Sequence, residues 1–205
     1  ADVFVQYDDL QFDQGGWRNR NRINTAQGPQ CLTLPVLTKG LNFPLIRDVR
    51  INNAENWKKK HISAMTQNYG KTPFFEDYAP DIFKIILKDH IFLMDLDLEL
   101  INCFADFLDI RTPTVLASEL AVTGSKTDRL IHMVKTLGGT VFYEGAAGRN
   151  YLDERFFSDA SIKLVFQDYV HPLYPQQYKD FIPYLSIVDL LFNCGKESGK
   201  IFRRV

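Results

Sequence analysis

Arg18, Arg20 and Arg22 recur two residues apart in the stretch WRNRNRI, directly after Gly15, Gly16 and Trp17. Side chains two apart share one face of a strand. An extended backbone therefore gathers the three guanidiniums on one side and sets Trp17, Asn19, Asn21 and Ile23 on the other. A helix would align Arg18 with Arg22 and turn Arg20 nearly opposite. Three fork-shaped donors on one face suit an anionic ligand such as a phosphate or a carboxylate. The alternative is a charged, solvated strand face. The paired acids Asp8 and Asp9 and the two glycines upstream favour the ligand.

Two histidines stand where proton transfer is chemically sensible. His61 follows Lys58, Lys59 and Lys60 and shares a helical face with Trp57 and Met65. His171 opens the Pro- and Tyr-rich segment HPLYPQQY, just after an expected strand. Each has the chemistry of a general base, and for each a structural role is the alternative. His90 and His132 read as ordinary members of amphipathic helices. No H-E-x-x-H or 2-His-1-carboxylate spacing occurs, so a metal is unsupported, and no cofactor motif is present. Gly145-Ala146-Ala147-Gly148 has the shape of a phosphate-cradling turn but lacks the glycine spacing of a dinucleotide or P-loop motif. Cys31, Cys103 and Cys194 form no C-x-x-C pair, which argues against a zinc site or a disulfide framework and fits a reducing, cytoplasmic setting. Cys31 and Cys194 read as core residues.

These groups need a scaffold, and 205 residues suffice for one well-filled core, so a single domain over 1–205 is expected. Hydrophobic residues at 45% and aromatics at 13% are ordinary for a globular protein. The 24 basic and 25 acidic side chains nearly cancel, which excludes a broad basic field for sequence-blind nucleic-acid binding. No run approaches the ~18 apolar residues of a membrane span.

Val3 to Asp8 reads as a strand. Arg18 to Asn24 and Gln30 to Val36 read as a hairpin turning at 25–29, with Pro35 marking an edge strand, and Ile46 to Ile51 as a short strand. A helical insertion around 53–108 follows. Asn53 or Asn56 caps a helix carrying Trp57, His61, Met65 and Tyr69 and ending at Gly70. A second helix carries Ile82, Ile85 and Ile86, and a third runs over about 97–108. The chain then alternates: strand 112–120, a helix opened by Ser125 and Asp128, strand 140–145, a short helix near 150–157, strand 162–169, and a helix from Ser186 to Gly195. That order predicts an α/β fold, mainly a parallel sheet covered by helices and Rossmann-like, with an antiparallel hairpin near the N-terminus. Ligands of such sheets bind beyond the carboxyl ends of the strands. Those ends carry Asp8 and Asp9, Ser118 and Glu119, Glu144 and Gly145, and Gln167, Asp168 and His171.

The ordered motifs ADVFV..DD.QF, WRNRNRI, WKKKH, YGKTPFF, SEL, YEG..GRNYLD, FQDYVHPLYPQ and LSIVDLLFNCG resemble the WbqC-like protein family, nearly end to end. Members lie in bacterial clusters that build O-antigen and related surface polysaccharides. The resemblance implies transfer of glycine or another acyl group to an amino sugar or sugar nucleotide. It also implies that an N-terminal strand–helix segment, resembling H-Q-P-x-Y-x-P-W-x-G-Y-F, is lacking before Ala1, which would weaken the site and leave a sheet edge open. Carried over residue by residue, it places Asp9, Gln11, Trp17, Asn19, Arg20, Asn21 and Arg22 near the ligand. Lys60 and His61 join from the WKKKH helix. Ser118, Glu119, Tyr143, Gly145, Tyr151, Gln167, His171, Tyr174 and Gln176 come from the strand ends and loops. In this reading the arginines and Lys60 hold a diphosphate, His171 or His61 takes the proton of the attacking amine, and Asp9 orients the base. The activated donor is an aminoacyl-tRNA, a carrier thioester or an ATP-activated amino acid. A non-catalytic module that binds nucleotide, glycan or RNA is the alternative, and a nucleotidyltransferase is a third.

Overall fold

The computed structural model describes residues 1–40, 43–178 and 180–203. Its first half holds β1 (Phe4–Gln6), β2 (Arg20–Thr25), β3 (Gly28–Thr33), β4 (Val36–Leu37), β5 (Arg50–Ile51), α1 (Trp57–Tyr69), α2 (Phe75–Leu87) and α3 (Leu93–Phe107). The second half holds β6 (Thr114–Leu116), α4 (Lys126–Thr136), β7 (Val141–Glu144), α5 (Glu154–Asp159), β8 (Lys163–Phe166), α6 (Ile187–Cys194) and α7 (Ser198–Arg203). None of these helices is long and apolar enough to cross a membrane.

The fold is mixed α/β, with small parallel and antiparallel sheets. The pairs β1–β6 and β7–β8 are parallel, while β2–β3 and β4–β5 are antiparallel. Among the described residues no ladder joins the two parallel pairs. The strands are shorter than their apolar runs suggested: 112–120 yields only Thr114–Leu116 before the chain tightens into a 3₁₀ turn at Ala117–Leu120. Likewise Ile46–Asp48 is a 3₁₀ turn, and only Arg50–Ile51 of the expected 46–51 strand is extended.

The backbone gathers into two compact units, Ala1–Asp9 with Thr112–Val170, and Leu10–Arg111 with His171–Val205. In the first, α4 and α5 bury Ile131, Val134 and Phe157 with Ile162. The Phe142 ring of β7 stacks parallel on Phe157 at 5.5 Å, an arrangement favoured by the ring quadrupoles.

The second unit is organised by one core that includes Ile23, Val49, Trp57, Tyr69, Ile82, Leu93, Leu96, Leu191 and Phe192. The four-residue steps of α1 deliver Trp57, Met65 and Tyr69 to it, all buried. Helices α2 and α3 each start earlier than their stripes implied, and α2 accommodates Pro80 inside its length. His90 lies between these two helices, not within one. Gly195 ends α6 with φ +57, and a Cβ there would sit 2.6 Å from the Phe74 ring. Conformation and space both demand glycine there.

Candidate functional site

Glycine also shapes the hairpin that carries the arginines. Gly28, at φ +102, pairs with Thr25, so β2 turns into β3 through Ala26 and Gln27 alone. The loop is shorter than the expected 25–29. At the other end the ladder is extended by Asn19, whose backbone C=O accepts from Leu34 N–H (2.8 Å) and whose Nδ2 donates to the Leu34 carbonyl (2.9 Å). Asn19 is therefore a clamp for the hairpin.

Arg20 and Arg22 lie on β2, but Arg18 does not: it precedes the strand and ion-pairs with Asp13. Trp17 was expected on the face opposite the arginines. The structure instead sets the Arg20 and Arg22 guanidiniums over its ring, at 5.9 and 5.3 Å. Alternation along a strand does not extend back through the turns at 14–19, and the cation–π attraction brings the three together. Trp17 remains 63% exposed. Arg20 Nε donates to Gly16 O (3.1 Å), Arg22 donates to Tyr184 O (3.0 Å), and the Arg22 Nε is buried with no partner. Asn21 is exposed, its Oδ1 accepting from Arg22 N–H (2.8 Å).

The bond pattern fixes which backbone groups point out of the hairpin. Because Asn19 and Leu34 are a bonded pair, strict alternation turns the amides of Arg20, Arg22 and Asn24 to one outer edge and those of Pro29, Cys31 and Thr33 to the other. The β2 edge is covered: Arg22 O accepts from Ser186 N–H (2.8 Å), and Asn24 N–H donates to the Tyr69 hydroxyl (2.7 Å).

Behind that edge is a buried polar network. Asp189, on α6 and fully buried, accepts from the Tyr69 hydroxyl (2.8 Å) and from Gln176 Nε2 (3.0 Å). Gln176 is held in turn by the Ile182 backbone, donating to its carbonyl (2.9 Å) and accepting from its N–H (2.8 Å). Burial pushes the Asp189 carboxyl above the usual carboxylate range, while hydrogen bonds from Tyr69, Tyr174 and Gln176, and the charge of His171, pull it back. Burial likewise raises Tyr174 and Tyr69, each then raised further by Asp189. His171 donates from Nδ1 to Pro172 O (2.9 Å). Its ring lies against Tyr174 (6.0 Å), Phe181 (5.8 Å) and Tyr184 (4.9 Å). Tyr184 is thus the joint: Arg22 holds its carbonyl and its ring packs edge-on to His171, at a backbone φ of +58 that side chains rarely adopt.

This cluster unites Trp17, Arg20, Arg22, His171, Tyr174 and Gln176, and adds Asn24, Tyr69, Tyr184 and Asp189, which sequence reasoning missed. The hint for Asp189 was a lone acid in the apolar run LSIVDLLF, which reads equally as a helix cap.

Lys60 and His61 line a separate open cleft of about 570 Å³ between β3 and α1, together with Gln30, Cys31, Gln67 and Asn68. Cys31 is exposed there, contrary to its reading as core, because β3 is an edge strand whose outer side faces the cleft. His61 donates from Nε2 to Thr33 O (3.2 Å) and packs edge-on against Trp57 at 5.5 Å. Burial lowers its pKa below the usual histidine value, partly opposed by the Thr33 carbonyl. The neutral ring dominates near pH 7. In the unfolded chain His61 takes up its proton near 6.5. Between that pH and the lower folded value the unfolded state holds more protons, so stability falls as pH drops through this window. A His61→Gln variant is expected to show a shallower loss of stability below pH 6.5 in denaturant titrations, and an equal slope would contradict the buried, neutral ring.

The first unit holds its own polar cluster at the carboxyl ends of β1 and β6. The buried Asp8 accepts from the Ser118 N–H (3.0 Å) and hydroxyl (2.6 Å). Asp9 pairs with Arg129 of α4, and this bond raises the Arg129 pKa, against the effect of its burial. Asp9 Oδ1 and Arg129 Nε are buried without partners. Arg129 stands over the Tyr7 ring at 5.3 Å. Glu119 caps the 3₁₀ turn, accepting from Leu116 N–H (3.3 Å). The Gly145–Gly148 turn serves packing: a Cβ on Gly148 would meet Glu144 Cγ at 2.5 Å, whereas one on Gly145 meets nothing. Tyr143 and Tyr151 are exposed, and Gln167 extends the β7–β8 ladder by donating its N–H to Glu144 O (2.8 Å). In the second unit Gln11 is exposed and forms a bridge with Leu45. Among the described residues no group of three or more His, Cys, Asp or Glu is placed to hold a metal ion.

A mixed α/β chain with an arginine hairpin and these strand-end acids is the class that fold and clusters define. The chain belongs to the WbqC-like protein family, whose model matches residues 1–201. It is also similar to the uncharacterized protein Rv1507c of Mycobacterium tuberculosis, 36% identical over 205 residues, which spans 99% of this chain and 88% of the relative. No solved structure matches it.

Proposed function

We propose that this chain is a cytoplasmic transferase of surface polysaccharide (O-antigen) biosynthesis that moves glycine or another acyl group to an amino sugar or sugar nucleotide. The observation that supports this reading most is Tyr184, whose carbonyl accepts from Arg22 and whose ring packs edge-on against His171, so that one residue contacts both. Arg20 and Arg22 would hold the diphosphate of a sugar nucleotide, with the exposed Trp17 ring as a stacking platform for base or sugar. The amine nitrogen attacks the acyl carbonyl carbon of the activated donor. A C–N bond forms and the bond to the leaving group breaks. The amine proton passes to His171 and from there to the leaving group.

The test uses sugar nucleotides with a free amine and, in separate arms, glycyl-tRNA, a glycyl carrier thioester, or glycine with ATP. Products are read by mass for the gain of one glycyl residue. One arm is expected to give product. His171→Ala is expected to lower turnover by roughly 10²–10⁴-fold with sugar-nucleotide affinity unchanged. No product in any arm, with binding intact, would turn the reading towards a non-catalytic module.

A further inference from the structure

The two edges of the β2–β3 hairpin are treated differently. The β2 edge is sealed by Ser186 and Tyr69. The β3 edge opens onto the cleft beside α1. There the alternation that turns Thr33 O towards His61 also turns out the Cys31 N–H, the Cys31 C=O, the Thr33 N–H and the Pro29 C=O. Pro29, Cys31 and Thr33 are all exposed, and β3 pairs with β2 alone among the described residues. An open strand edge is a template for another chain. Across the cleft this one faces α1, through Lys60, His61, Ala64 and Gln67.

We propose that this groove binds an extended, acidic peptide segment of a partner protein by adding it as a third, antiparallel strand on β3. A peptide residue opposite Cys31 exchanges two backbone hydrogen bonds with it. The residue two before accepts from Thr33 N–H, and the residue two after donates to Pro29 C=O. His61 already occupies the Thr33 carbonyl, so Thr33 offers the peptide its N–H alone. The charge preference follows from the lining. Lys60 is the only charged side chain among the groove residues, His61 is held neutral by burial, and the rest are Thr25, Gln27, Gln30, Cys31, Leu32, Thr33, Ser63, Ala64, Gln67 and Asn68. This proposal does not depend on the transferase reading.

The probe is an array of acidic peptides of about seven residues, enough to span β3 as a strand, titrated against the full chain. The leading peptide is then remade with N-methyl groups on alternate amides. Binding is expected, with affinity lost by about tenfold or more in one N-methyl register and not in the other, as expected for removal of backbone hydrogen bonds. Cys31→Pro deletes an outward N–H without touching the β2–β3 ladder and should weaken the peptide similarly, while Lys60→Glu should weaken acidic peptides most. Hydrogen exchange at Cys31 and Thr33 should slow on binding, a readout that needs no variant. Absence of binding across the array overturns the proposal. So does N-methylation without effect in either register, or a dimer of this chain that Cys31→Pro disperses, which would make a second copy the occupant.

Discussion

Alanine at Asp189 is expected to lower the free energy of unfolding by about 2–6 kcal/mol, the cost of orphaning two hydrogen-bond donors at roughly 1–3 kcal/mol each. The side chain is fully buried, and it is the common acceptor of the Tyr69 hydroxyl and Gln176 Nε2, with Tyr174 and His171 alongside. Removing it leaves the Tyr69 hydroxyl and one Gln176 N–H without their acceptor. Tyr69→Phe removes two bonds, the one accepted from Asn24 N–H and the one donated to Asp189, and should cost about 1–3 kcal/mol, since Asp189 keeps Gln176. Urea titrations of the two variants against the native chain decide the matter. A loss under ~1 kcal/mol for Asp189→Ala would mean that the network is solvated and that Asp189 is dispensable to the fold.

The same residue has a pH signature with a definite sign. Its folded pKa is raised above the unfolded value, so the carboxyl favours the folded state when protonated. That contribution is fully present below about pH 4 and is lost as pH rises through the folded pKa. Asp189→Asn lacks it. The stability gap between native and Asp189→Asn chains should therefore shift in favour of the native chain on acidification through this window.

How far the sequence reaches is visible in this network. Helices α1, α2, α3 and α6 of the second unit followed from local signals, because a four-residue step such as Trp57, His61, Met65, Tyr69 reports burial within a few turns, whereas α7 was not anticipated beyond the stop at Gly195. The β2–β3 hairpin was legible for the same reason, down to the placement of Arg20 and Arg22 on one strand. What failed was local geometry outside regular elements and everything held across long separations. Trp17 was assigned to the wrong face since it precedes the strand, and Cys31 to the core since an apolar neighbourhood in sequence does not say which edge of a hairpin stays open. The Arg22–Tyr184 bond spans 162 residues, and the Tyr69–Asp189 bond spans 120. No periodicity encodes such partners. The strand-end acids behaved in between: Asp8, Asp9 and Ser118 do converge, but Arg129, which pairs with Asp9, sits on a helix whose pattern marked it only as surface.

The second large effect belongs to the arginine pair. Replacing Arg20 and Arg22 together by alanine should weaken the binding of a sugar nucleotide by about 10²–10⁴-fold, the sum of two charge-assisted contacts of roughly 1.5–3 kcal/mol each. The geometry makes the pair act as a unit. Both guanidiniums stack on one indole, within 5.9 and 5.3 Å of its centre, and each spends one donor on a backbone carbonyl that fixes its orientation. Arg20→Lys with Arg22→Lys keeps the charge and loses the planar fork. It should recover only a small part of the affinity, since lysine neither stacks as arginine does nor offers two parallel donors. Salt separates the contributions: raising ionic strength should weaken the native complex and leave the double alanine variant nearly indifferent. Trp17→Ala should sit between, because it removes the platform but leaves both charges in place. Calorimetric titration of the four proteins gives the ranking directly. Equal affinity in the native and double alanine chains would reduce the arginines to a solvated strand face, and the anion site would have to be sought at the Asp9–Arg129 cluster, whose Arg129 Nε is also buried without a partner.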